Sequence, residues 1–233
     1  MSGDTPTLAW LPIHEVEKSS ETLPTRNECI VERLLGILRG NLGLLPFRFS
    51  SLNDARNAFS NCRKDEPGKP DPEGIKPILH FISADGLVLA ELHLEDNRIR
   101  SRLTVYIDDA SPIVLESETS QRDFLDGMNE LAFNLAGHFM SFDDPKFIRA
   151  HLQRYYTTNH FDALQHFANA HFYWQRKDFE AAQMEIRTSC KIDTRFATPL
   201  RFLAEICRDA GKLEEELVVI QEEADLHLAE ENP

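Results

Sequence analysis

Residues 87–107 read LVLAELHLEDNRIRSRLTVYI, and their spacing decides how the N-terminal half is built. Asp96-Asn97 is a two-residue turn signal between two runs of β character. Folding about that turn sets Glu95 opposite Arg98, His93 opposite Arg100 and Glu91 opposite Arg102. On the other face it pairs Leu94 with Ile99, Ala90 with Leu103 and Val88 with Val105. One face is charged and complementary, the other apolar, so the register of this hairpin is fixed from both sides. Upstream, Asp85-Gly86 marks a second tight turn behind the apolar run 78–83, which predicts the first strand of a β-meander. Residues 113–115 predict a short fourth strand.

Working outward, Ser120 and Asp123 stand three apart in a capping-box arrangement ahead of an apolar stripe, Phe124, Met128, Leu131, Leu135 and Phe139. That helix is expected to cover the meander's apolar face. Asp143-Asp144-Pro145 ends it and starts another through Phe147, Ile148, Leu152 and Tyr155. On the N-terminal side, Ile30, Val31, Leu34, Leu35 and Leu38 predict a helix over 28–38, stopped by Gly40 and Gly43. A short helix is expected near 52–59, and the Pro- and Gly-rich stretch 62–76 as a loop. Residues 1–27, broken by Pro6, Pro12 and Pro24, are expected as an arm. Its apolar knot at 8–13 either packs on the protein's own body or docks on another subunit through Trp10, Leu11 and Ile13. The fold class is therefore α+β: an arm (1–27), an antiparallel β-meander packed with helices (28–142) and a helical C-terminal region (143–233).

The C-terminal region repeats itself. An offset of 34 residues brings Ala170 onto Ala204, Lys177 onto Gly211, Phe179 onto Leu213 and Ile186 onto Ile220. Each copy reads as helix, turn, helix. The pattern resembles the tetratricopeptide repeat family over about 160–230, in two degenerate copies. The matching features are the small residue early in helix A, the turn before an aromatic or aliphatic residue, and Ala182 and Ser189 on helix B. Thr194 stands where the family has a closing proline, and Glu216 and Glu223 stand where it has small residues. The second copy is accordingly expected as a solvent-facing cap.

Composition narrows the functional classes. The 233 residues carry 39 acidic and 25 basic side chains, a net charge of −14, with 42% hydrophobic residues. Such an acid excess argues against a duplex-binding face and against docking on an anionic membrane. No apolar stretch reaches the length of a membrane span, and no basic-then-apolar leader opens the chain. Cys29, Cys62, Cys190 and Cys207 lie too far apart for a zinc pair or a disulfide framework, so reduced thiols in a cytoplasm are expected.

No phosphate-binding loop, dinucleotide turn, nucleophile elbow or H-E-x-x-H occurs, and neither a metal nor a cofactor is expected. His160, His166 and His171 are spaced six and five apart, on different helical faces, among aromatic neighbours that suit ordinary packing. Asp108-Asp109 and Asp143-Asp144 suit turns better than calcium. A row His80–Glu91–Arg102 would follow from the meander, either as an acid/base site or as a solvated face whose charges fix register. The C-terminal helix is acid-rich, with no Lys or Arg from Leu213 to Pro233 and a stripe of Leu213, Leu217, Ile220, Ala224 and Leu228.

The expected function is a non-catalytic adaptor, assembly factor or scaffold that binds a protein or peptide, of basic character where it meets the acidic face. What the resemblance implies is that helix A of each copy supplies the contacts: Asn169, His171, Tyr173 and Arg176, then Arg201, Glu205 and Arg208. Two alternatives stay open. Composition and element order resemble bacterial secretion chaperones, which implies a homodimer holding an unfolded client on the α+β domain. Alternatively, a small enzyme uses His80, Glu91 and His93 on the sheet face.

Overall fold

The computed structural model describes residues 6–12, 23–45, 47–51, 72–107, 110–139, 144–146, 148, 152 and 158–231. The fold is α+β: a mixed five-stranded sheet in the N-terminal half and C-terminal helices packed as hairpins. The chain forms two compact units, one of residues 1–22 with 34–155, the other of 23–33 with 156–233.

The first unit holds β1 (Thr7–Pro12), most of α1 (Arg26–Gly43), β2 (Arg48–Phe49), α2 (Pro72–Ile82), β3 (Gly86–Glu95), β4 (Arg98–Ile107), β5 (Ile113–Ser120) and α3 (Phe124–Phe139). The strand order is β2-β1-β3-β4-β5. β3 and β4 pair in the register read from the sequence, Glu95 with Arg98 through Val88 with Val105. Asp96 takes the left-handed φ of 49° that the tight connection needs and that aspartate tolerates.

Three expectations are corrected. The run 78–83 is not a strand but the end of α2, where Ile78 and Leu79 pack against Ala9, Leu11, Leu87 and Leu89. A short apolar run fits either element, and Pro72 at the first helical position starts this one. The place beside β3 is taken instead by β1, in parallel, with Leu8 opposite Gly86 and Leu11 opposite Leu89. Trp10 and Leu11, expected as a docking arm, are therefore buried in their own sheet, at 3% and 0% exposure. Ile13 and the helix expected near 52–59 lie outside the described residues. Finally, β5 is longer than expected and alternates strictly, so its glutamates join the charged face. Arg98 and Arg100 both reach Glu118, and Arg102 lies 3.5 Å from Glu116. These exposed pairs hold Glu118 below the usual carboxylate range and fix register more than they stabilise.

Ser120 caps the turn into α3 by accepting the Asp123 N–H at 3.2 Å. α3 then runs close against β5 because residue 127 is glycine: a Cβ there would come within 2.6 Å of Thr119. Among the described residues no helix is long and apolar enough to cross a membrane.

Candidate functional site

The second unit contains α4 (Phe161–Gln175), α5 (Phe179–Ile192), α6 (Thr198–Asp209) and α7 (Leu213–Glu231), with the segment 23–33. α4 with α5 and α6 with α7 make two hairpins, and their turns share two backbone hydrogen bonds at the offset of 34. Lys177 has φ 63° and Gly211 φ 74°. Lys177 N–H donates to Trp174 O at 2.9 Å and Asp178 N–H to Tyr173 O at 3.1 Å. The same bonds recur from Gly211 to Arg208 at 3.0 Å and from Lys212 to Cys207 at 2.8 Å. This is the helix-ending motif in which a left-handed residue lets two amides close on the last carbonyls.

The first hairpin receives the second on an aromatic seat. Phe202 of α6 stacks on His171 at 3.6 Å between ring centroids, with Trp174 at 5.4 Å and Phe167 at 6.0 Å. On α5 the seat includes Gln183, whose amide lies 3.5 Å from Cys207 Sγ, and Ile186 one turn on is fully buried. Burial, with Arg33 adding to it, lowers the His171 pKa to about 3, so its ring serves as a neutral aromatic plate. Ser189 locks the hairpin itself by donating to Ala163 O at 2.7 Å.

Moving each seat residue by 34 gives the corresponding surface of the second hairpin. Phe167, His171 and Trp174 become Arg201, Glu205 and Arg208; Gln183 and Ile186 become Leu217 and Ile220. Arg201 bonds Glu223 at 3.1 Å, and Arg208 bonds Glu216 through Nε at 2.8 Å. The two glutamates at normally small positions therefore face inward, Glu216 itself being buried, while the stripe lies outside. Leu213, Leu217 and Ile220 are 61%, 69% and 44% exposed, and Val218 is exposed beside them. The second hairpin, expected as a solvent-facing cap, carries charged pairs between α6 and α7 and exposed apolar side chains on α7.

The remaining candidate contacts are engaged within the unit. Arg26 lies over the Phe172 and Tyr173 rings and bonds the Tyr173 hydroxyl. Arg176 stacks on Phe172 at 3.6 Å and donates to Pro24 O at 2.9 Å, while Asn169 is half-buried. Thus His171, Tyr173 and Arg176 are engaged within the unit, Arg176 while staying exposed, and Arg201, Glu205 and Arg208 are exposed as well.

The sheet-face trio is not assembled as expected, because His80 is an exposed residue of α2 and not of a strand beside Glu91; His93 is exposed on β3. His166 pairs with Glu185 at 2.5 Å. Among the described residues no cluster of three His, Cys, Asp or Glu side chains is arranged to hold a metal. The exposed α7 stripe is visible in the sequence, but its outward orientation is not, since that depends on Glu216 and Glu223 finding arginines across the hairpin. No family model matches this chain, and no curated protein does.

Proposed function

We propose that the protein is a non-catalytic interaction protein, an adaptor or assembly factor, whose C-terminal unit works as a short tetratricopeptide-like array binding another protein. One observation carries the reading: two hairpins that end their first helix with the same pair of turn hydrogen bonds at 34 residues' offset leave three large aliphatic side chains of the last helix's stripe exposed. An array ending against water needs a polar outer face. Apolar side chains grouped along one helix flank instead mark a contact surface. The described cysteines, Cys29, Cys190 and Cys207, are free thiols, which fits a reducing compartment such as the cytoplasm.

The test is recovery of partners on the full chain from its native host, followed by reconstitution from two purified components and hydrogen exchange on the complex. Protection of amides within 198–225 is the expected result. A complex that protects only β4 and β5, or no complex from purified components, contradicts the proposal.

A further inference from the structure

We infer that the exposed seat on α6 and α7 takes an amphipathic helix of another protein, apolar on the side that meets α7 and flanked by basic residues. The inference rests on the interaction reading above and names its partner.

The first hairpin shows what such a seat holds. Its positions 167, 171, 174 and 183 are met by a helix, α6, which presents Phe202 to the aromatic row, and Ile186 on the same hairpin is fully buried. The same positions of the second hairpin, Arg201, Glu205, Arg208, Leu217 and Ile220, lie on elements joined by the same kind of turn and are all exposed. From Leu213 to Ala224 the stripe extends about 17 Å along α7, a length that about twelve residues of helix cover.

Charge selects the occupant. Arg201 and Arg208 are taken up by the inward-facing Glu223 and Glu216, and Lys212 by Glu215, which leaves Glu205, Glu214 and Asp225 among the exposed charges near the stripe. The seat is net acidic, so basic flanks on the incoming helix are favoured and acidic ones repelled. The same charge disfavours a second copy of this chain, because α7 against α7 would bring Glu214 and Asp225 of both copies together on a molecule that already carries −14.

Fluorescence anisotropy on the full chain tests this with synthetic helical peptides of about 15–20 residues. One bears a Leu/Ile stripe with Lys and Arg flanks, a second the same stripe with Glu flanks, and a third is a scramble of the first. The basic peptide is expected to bind at least about tenfold tighter than the other two and to weaken as salt rises. Leu217→Ser with Ile220→Ser is expected to weaken it at least about tenfold while leaving the circular dichroism spectrum unchanged. Glu214→Lys with Asp225→Lys, which touches no packed residue, is expected to reverse the preference toward the acidic peptide. Equal binding of the three peptides overturns the inference. So does light scattering that shows a dimer broken by the Leu217/Ile220 variant, which would make a second copy the occupant. A native partner that binds the double variant undiminished overturns this seat and leaves the broader interaction reading standing.

Discussion

Ile186 and Ile220 are the same residue at the same place in successive hairpins, yet one is sealed and the other 44% exposed. Around them the hairpins share their turn hydrogen bonds and left-handed residue. What differs is the surroundings: Ile186 lies in the hairpin on which α6 stacks, and among the described residues nothing covers Ile220 to the same depth. The lesson is that the backbone of a repeat is set locally, by capping and turn chemistry, whereas burial is set by what stacks on it. The largest test of that separation is the matched pair Ile186→Ala and Ile220→Ala, read by denaturant unfolding. Ile186→Ala should cost about 2–5 kcal/mol, as truncations of sealed side chains do. Ile220→Ala should cost less than about 1 kcal/mol, because little area leaves water there and alanine is the better helix former. Equal costs would mean that Ile220 is also covered, and the proposed seat would be lost.

The seat residues differ in charge as well as in cover, and pH separates them. His171 in the first hairpin has its pKa lowered to about 3 by burial and by Arg33, against 6.5 in an unfolded chain. Below 6.5 the unfolded chain takes up a proton that the folded unit refuses, so stability is lost as pH falls from 6.5 toward 3. Between pH 7 and pH 5 this ring alone should remove about 2 kcal/mol. His171→Phe keeps a ring on Phe202 and cannot titrate. Its stability relative to the parent should therefore rise by that amount over the same interval, and a flat difference would refute the buried neutral ring. Glu205, the counterpart in the second hairpin, is exposed and has no comparable role in packing.

The same contrast between local and distant causes explains what the sequence discloses. The β3–β4 register is legible to the residue, since a turn, an alternation and a charge pattern agree within some twenty positions. The repeat is legible for the same reason, because its signals lie in single turns. β1 reads as an arm: a strand buried on both faces by parallel pairing shows no alternation, only the run Leu8-Ala9-Trp10-Leu11. Residues 78–83 read as the strand that β1 in fact supplies, and that reading sets His80 beside Glu91. At the candidate site, Arg201, Glu205 and Arg208 follow from counting along helix A. That Arg26 and Pro24 engage Tyr173 and Arg176 is not legible, because those contacts join residues about 150 positions apart with no motif between them.

The smallest effect probes the feature the hairpins share. Both turns require a left-handed residue, which one hairpin supplies with lysine and the other with glycine. A methyl group on Gly211 would meet open space, with no heavy atom within 4 Å, so Gly211→Ala costs only what the backbone conformation demands, about 1 kcal/mol. Lys177→Gly removes the corresponding strain, but glycine loses more freedom on folding, and the net gain should be no more than about 0.5 kcal/mol. Opposite signs from one turn geometry, measured by thermal unfolding of the two variants, would establish that the turns are equivalent in energy as well as in hydrogen bonding. A loss in both would assign Lys177 a contact through its side chain. The first hairpin would then owe its ending to that contact, and the positional matching of Leu217 and Ile220 to Gln183 and Ile186 would have to be drawn from the helices alone.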